Sequence, residues 1–196
     1  MDANQVEVLQ IRPDQIVKTS HENLVNLEEA YLGHRSIVIA YDSYGISLEE
    51  IRRASNIFFN DASAVACICR ELLKGLKYIH DEVGITHGNL SCCTVVLTDR
   101  GQVKITDVGD GMVRGRGTDD RTMDNRAVGQ IAATLLRLDC LEEDLSGPHL
   151  EAESFIHVSS IATVDELLNH RFLQAGFEPW CLQSLAILSK VIRFTV

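Results

Sequence analysis

The hydrophobic pattern at the start of the chain is that of short strands. Three apolar-rich runs stand between turn residues: 6–11, 24–32 and 36–41. Runs of this length that partly alternate and end at residues such as Gly33 are typical of β-strands. Residues 47–50 then read Ser-Leu-Glu-Glu, a capping box that predicts the start of a short helix.

From residue 61 the period of the apolar pattern changes to 3.6. One face collects six side chains at helical spacing: Val65, Ile68, Cys69, Leu72, Leu76 and Ile79. This spacing predicts an amphipathic helix of about 20 residues that ends near Gly84, because glycine suits a left-handed C-cap. Further helices are predicted at residues 127–138, after a second capping box at 163–166, and over 182–191.

A predicted hairpin and a glycine-rich stretch lie between these helices. Residues 95–106 contain two short apolar runs around Asp-Arg-Gly-Gln, a pattern typical of a β-hairpin. Residues 109–118 hold four glycines and two arginines with little apolar content. They predict a loop, either a flexible connector or a partner-binding or modification site. Strands first, then helices interrupted by one hairpin, predict an α+β fold in two lobes.

Composition and charge exclude several classes of function. The chain has 196 residues, 45% of them hydrophobic, which is enough for a sizeable core. Its formal net charge of -10 argues against nucleic acids and anionic membrane surfaces as partners, since both require a basic face. No membrane span or signal peptide is predicted. None of the six cysteines forms C-x-x-C, so we expect reduced thiols and a cytoplasmic or nuclear location.

The order of the segments resembles that of a eukaryotic Ser/Thr protein kinase domain, loosely of the sterile-20-like group. Two segments resemble the fourth and fifth strands and the hinge of that family: SHENLVNLEEAY and SIVIAYDSYGISLEEI. ELLKGLKYIHDEVGITHGNL resembles the helix and catalytic loop of that family, and VVLTDRGQVKITDVG resembles its D-F-G hairpin. DNRAVGQIAATLL resembles the helix that usually begins D-x-W-S-x-G, and ATVDELLNHRFL resembles the end of the domain. The similarity runs from about residue 20 to 175. It implies one kinase-like domain over 1–196, with a partial N-terminal β lobe (1–45) and a mainly helical C-terminal lobe (46–196).

The resemblance also implies where the catalytic groups would stand. The family's loop reads H-R-D-L-x-x-x-N, in which Asp accepts the substrate hydroxyl proton and Asn holds a metal ion. Here His87 matches, Gly88 replaces Arg, Asn89 replaces the base and Thr94 replaces the metal-binding Asn. An amide such as Asn89 cannot take a proton at neutral pH. His87 is expected to be a structural histidine bonded to nearby backbone.

The other residues of a kinase ATP site are only partly retained. The D-F-G aspartate is present as Asp107, either a vestigial metal ligand or a carboxylate that caps local N–H groups. Ala40 and Tyr41 fall near the adenine-contacting hinge. No G-x-G-x-x-G precedes the strands, Leu9 stands where the family has its phosphate-pairing lysine, and no A-P-E follows the short 109–124 segment. ATP and Mg²⁺ are the cofactors that the resemblance implies, neither of them required by the residues present.

These coordinated losses predict a pseudokinase: a catalytically impaired domain that acts in signalling as a protein-binding or regulatory module. Its partner would be another protein, for example an active kinase. One alternative is an active Ser/Thr kinase with atypical catalytic residues, which the presence of Asp107 favours. The other is a shortened kinase fragment without independent function, which the missing glycine loop favours.

Overall fold

A computed structural model describes most of the chain: residues 16–34, 36–43, 45–59, 61–115, 117, 121–138, 148–174 and 182–187. The predicted strand at 6–11, with Leu9, lies outside these residues. So does the end of the last predicted helix, of which the structure describes a helical segment at 183–187.

The strands form two small antiparallel sheets. In the first, β1 (Leu27–Leu32) pairs with β2 (Ile37–Tyr41), with Leu32 opposite Ile37, which confirms the predicted turn between them. The second sheet has the order β3-β4-β5, from Ile46–Ser47, Val95–Leu97 and Val103–Ile105. Its β4–β5 hairpin was predicted. The two-residue β3 was not, because so short a strand has no alternation to detect.

Helices make up most of the rest of the fold. Their bounds are α1 Leu48–Ala54, α2 Ala62–Tyr78, α3 Val108–Val113, α4 Arg121–Leu136, α5 Pro148–Ser159, α6 Val164–Leu168 and α7 Arg171–Gln174. Both predicted capping boxes are present, at the starts of α1 and α6: each cap side chain accepts from the N3 amide, and the N3 glutamate accepts from the cap amide. Helix α5 was not predicted.

Helix α2 lies at the centre of the core. It contacts β5, α4, α5, α6 and α7, and all six side chains of its predicted apolar face are fully buried. The helix continues into a π-helical turn, Ile79–Val83, and ends at Gly84 with φ 76°, as its sequence predicts. Burial of this continuous face supplies most of the hydrophobic stabilisation that α2 contributes. None of the helices that the structure describes is both long and apolar enough to cross a bilayer.

The prediction of a loop over 109–118 was wrong in its first half, where α3 forms. Its glycines serve close packing instead of flexibility. A Cβ added at Gly111 would lie 2.7 Å from the carbonyl oxygen of Thr86, and one added at Gly109 would lie 2.6 Å from Cδ1 of Ile39. Gly111 therefore lets α3 approach the backbone at Thr86 more closely than a residue with a Cβ could, whereas Gly109 faces the movable end of the Ile39 side chain on β2.

Candidate functional site

Three of the four predicted site residues line one cavity. The cavity has a volume of about 520 Å³ and lies between β2, the loop at 87–94 and α3. Tyr41, Asn89 and Asp107 all line it. Ala40 is not among its lining residues, because alternation along β2 turns its side chain away from the face that carries Ile39 and Tyr41.

The 87–94 loop is held by a buried carboxylate in the first turn of α4. Asp124 is 1% exposed. Its Oδ2 accepts from the His87 amide at 2.8 Å and from His80 Nε2 at 2.8 Å, and its Oδ1 accepts from the Gly88 amide at 2.7 Å. Burial acts to raise the pKa of Asp124, but the hydrogen bonds from His80, Gly88 and His87 outweigh it and lower the pKa. The ionised carboxylate therefore fixes the start of the loop.

His87 joins the loop to the end of β5. Its Nε2 donates to the carbonyl oxygen of Thr106 at 2.7 Å, since a carbonyl can only accept, and its Nδ1 accepts from the Asn89 amide at 3.3 Å. Both ring nitrogens are thus bound to backbone. The expectation of a structural histidine is confirmed.

Asn89 and Thr94, which the resemblance aligns with the family's base and metal-binding positions, have different surroundings. The side chain of Asn89 is exposed and lines the cavity. Thr94 is 5% exposed, and its hydroxyl accepts from the Ser91 amide at 2.9 Å while lying 3.1 Å from the Asn89 carbonyl oxygen. Its hydroxyl closes the loop on itself and is not available to a ligand in the cavity.

Asp107 and Asp110 are the carboxylates that line the cavity. Asp107 has left-handed backbone (φ 60°), an exposed side chain and no cap hydrogen bond to α3. Asp110 pairs with Arg114, with 2.7 Å between Oδ2 and Nε. Mg²⁺ is usually bound by one or two carboxylates together with substrate phosphates, and these two residues fit such a role weakly. No group of three or more His, Cys, Asp or Glu side chains suited to a metal ion occurs in the described part of the chain.

Tyr41 contributes a protonated phenol to the cavity. Burial raises its pKa, a backbone hydrogen bond from Gly109 acts in the opposite direction, and the charges of Asp107 and Asp110 raise it further. The neutral hydroxyl lies close to α3: a Cβ at Gly109 would be 3.1 Å from it. The cavity thus combines one phenol, one amide, two carboxylates, the His87 ring and the Arg114 guanidinium with apolar side chains of β2 and α3.

Comparison with known proteins identifies the family of the chain. The sequence model of the protein tyrosine and serine/threonine kinase family matches residues 2–144. The chain belongs to this kinase family. The predicted kinase-like α+β fold, with small sheets and a mainly helical remainder, is therefore confirmed. The 162–173 segment, which the sequence assigned to the end of the kinase domain, lies beyond the matched residues.

Individual relatives agree with the sterile-20-like resemblance. The kinase-family chain is 34% identical over 104 residues to the serine/threonine-protein kinase dst2 of Dictyostelium discoideum, over 53% of this chain and 9% of that protein. It is 34% identical over 93 residues to the serine/threonine-protein kinase STE20 of Debaryomyces hansenii, over 46% of this chain and 8% of that protein. The matched part thus spans less than a tenth of the length of these relatives.

Sequence reasoning missed Asp110 and Arg114, which line the cavity, and Asp124, which holds the 87–94 loop beside it. For Asp124 a signal existed, because it occupies the first position of the segment that resembles D-x-W-S-x-G. Asp110 and Arg114 carried no such signal. They reach the cavity because α3 is a helix, which places residues four apart on one face.

Proposed function

We propose that this kinase-family domain is catalytically impaired and acts as a protein-binding or regulatory module in signalling. One observation carries the proposal: the side chain that lines the cavity at the position of the catalytic base is the amide of Asn89. An amide cannot accept the proton of a substrate hydroxyl. Loss of a general base alone costs on the order of 10²–10⁴ in rate.

The second substituted position adds to this loss. Thr94 stands where the family has a metal-binding Asn, and its hydroxyl is engaged by the loop backbone. Phosphoryl transfer depends mostly on positioning and on electrostatic stabilisation by metal ions. A domain with an amide at the base position and an engaged hydroxyl at the second metal position lacks two groups on which the family's chemistry depends. Its binding partners on this proposal are other proteins, with an active kinase as one class.

A second function has a specific observation in its favour. Asp107 and Asp110 line the same cavity, so two carboxylates would be available to Mg²⁺ if an active Ser/Thr kinase bound the ion there. The relatives named above are serine/threonine-protein kinases. On this alternative the chain would transfer phosphate from ATP with atypical residues, and Asp107 would be indispensable.

Nucleotide titration combined with label transfer separates these functions. The purified chain is melted with and without ATP and Mg²⁺, and γ-phosphate transfer to itself and to a generic acceptor protein is followed. We expect no transfer above the Asp107→Ala control, whether or not ATP raises the melting temperature. Transfer that Asp107→Ala abolishes would establish the active kinase instead. The absence of any cooperative unfolding transition would favour the fragment without independent function.

Asn89→Asp is the informative variant in the same assay. It returns a carboxylate to the base position and leaves Thr94 unchanged. We expect transfer to stay at the level of the Asp107→Ala control, because the second metal ligand is still missing. A rise of about 10²-fold or more, the size of a general-base contribution, would show that Asn89 alone limits the chemistry.

A further inference from the structure

The charges that line the cavity of the candidate site do not balance. Among the described residues, the lining has two carboxylates, Asp107 and Asp110, one guanidinium, Arg114, and no lysine. Arg114 Nε lies 2.7 Å from Asp110 Oδ2, so the guanidinium is matched with one of the two carboxylates. The His87 ring adds no positive charge, because its Nδ1 accepts from the Asn89 amide. The charge of Asp107 is therefore left uncompensated.

Asp107 is also accessible to a ligand. Its side chain is exposed and lines the cavity, and within the described ranges it has no hydrogen-bond or ion-pair partner. The charges of Asp107 and Asp110 both act on the phenol of Tyr41, which places the two carboxylates near one wall of β2. A ligand that enters between β2 and α3 therefore meets an unpaired carboxylate.

The apolar part of the lining suits a long aliphatic chain. Ile37 and Ile39 contribute apolar side chains from β2, and Val113 contributes one from α3. Arginine and lysine pack their methylene groups along such surfaces while the cationic end reaches a polar group. The volume of about 520 Å³ admits such a side chain together with part of the segment that carries it.

The same charges oppose an anionic ligand. The phosphates of ATP without a metal ion would meet an uncompensated carboxylate, and like charges repel. A basic group needs no additional ion in this cavity. The formal net charge of -10 also favours the approach of a basic partner over that of an acidic one.

We propose that this cavity binds an arginine or lysine side chain of a partner protein, with the cationic end on Asp107 and the aliphatic part on Ile37, Ile39 and Val113. The inference rests on the proposed function, since it names the chemistry by which a protein-binding module would recognise its partner. Asp110 can join the contact at small cost, because its ion pair with Arg114 is exposed and such pairs are weak.

Two blocked five-residue peptides test the chemistry. Both have a central residue flanked by leucines, which is arginine in one and citrulline, its neutral analogue of the same length, in the other. Each is titrated into the isotope-labelled full chain, and the amide resonances of Asn89, Asp107 and Asp110 are followed by NMR. We expect the arginine peptide to shift them and the citrulline peptide to bind roughly tenfold more weakly, the effect of losing a hydrogen-bonded charge.

Metal-free ATP serves as the anionic comparison in the same titration. We expect it to bind more weakly than the arginine peptide. Equal binding of the two peptides, no shift with either, or tighter binding of metal-free ATP would overturn the proposal.

Three variants assign the contact to the cavity. Asp107→Asn should weaken binding of the arginine peptide about tenfold, and asparagine tolerates the left-handed backbone at this position. Arg114→Gln releases Asp110 and should strengthen binding about threefold, the size of an exposed ion pair. Asp165→Asn removes the same charge from an exposed site outside the cavity and should leave binding unchanged. Equal losses in Asp107→Asn and Asp165→Asn would contradict the assignment.

The phosphate-transfer assay described above keeps this inference apart from the proposed function. If the arginine peptide does not bind and transfer stays at the level of Asp107→Ala, the inference is wrong and the impaired domain stands. If transfer depends on Asp107, the proposed function is wrong, and the peptide titration still decides which charge the cavity accepts.

Discussion

Asp124 is a single residue that holds the start of the 87–94 loop in place. Its carboxylate accepts hydrogen bonds from His80 and from the amides of His87 and Gly88, all within 2.8 Å. Because a carboxylate only accepts, it can satisfy all three of these donors. An amide in its place would turn an NH₂ group toward at least one of them.

We therefore expect Asp124→Asn to lower the free energy of unfolding by about 3 kcal/mol, since buried donors lose a charged acceptor. Urea denaturation measures the change. Asp165→Asn is the control: Asp165 is 70% exposed and pairs with Lys77 on the surface, so its loss should cost no more than about 0.5 kcal/mol. Similar losses in the two variants would show that the buried carboxylate does not clamp the loop.

At the scale of elements, α3 is positioned by glycines that let it approach its neighbours. Gly111→Ala should lower the free energy of unfolding by about 1–3 kcal/mol, because the new methyl group would lie 2.7 Å from the rigid carbonyl oxygen of Thr86. Gly117→Ala, where a Cβ would meet nothing within 4 Å, should change it by less than about 0.5 kcal/mol. Thermal unfolding of both variants checks this, and a neutral Gly111→Ala would mean that α3 is free to move away.

The same glycines show where sequence patterns stop being informative. The periodic elements were predictable: α2 from its buried face, the β1–β2 and β4–β5 pairs from their turns, and α1 and α6 from their capping boxes. Helix α3 was not predictable from the sequence. A glycine that permits close packing cannot be distinguished there from a glycine that makes a loop flexible. Helix α5 was missed because few apolar side chains mark its buried side, chiefly Ala152 and Phe155.

The residues of the candidate site were likewise predictable only in part from the sequence. Asn89, Asp107 and Tyr41 were placed in one cavity by motif order, which fixes their positions along the chain. Ala40 was also predicted near the hinge but does not line the cavity, because the face on which a β2 side chain lies depends on the exact register of the strand. The clamp by Asp124 joins residues that are far apart in sequence, so only the packing of α4 beneath the loop brings them together.

At the scale of the whole molecule, stability in acid depends on carboxylates that the fold keeps ionised. Hydrogen bonds and ion pairs lower the pKa values of several of them: Asp42, Glu49, Asp81, Asp124 and Glu166. Of these, Asp124 combines a lowered pKa with nearly complete burial, so water does not screen its interactions. The contribution of Asp124 to the loss of stability in acid should therefore be the easiest to measure by substitution.

The folded pKa of Asp124 lies below its value in the unfolded chain, which is about 3.9. Its contribution to stability is therefore fully present above the unfolded value and is lost as the pH falls through the folded value. We expect the melting temperatures of the wild type and of Asp124→Asn to differ by a constant amount near neutral pH and to converge below about pH 4. Val128→Ala, which truncates a fully buried side chain in the same helix, also destabilises but removes no titrating group, so its curve should stay parallel to that of the wild type throughout. If the Asp124→Asn curve also stays parallel into the acid range, the ionisation of Asp124 is not linked to folding and the loop must be held by other contacts.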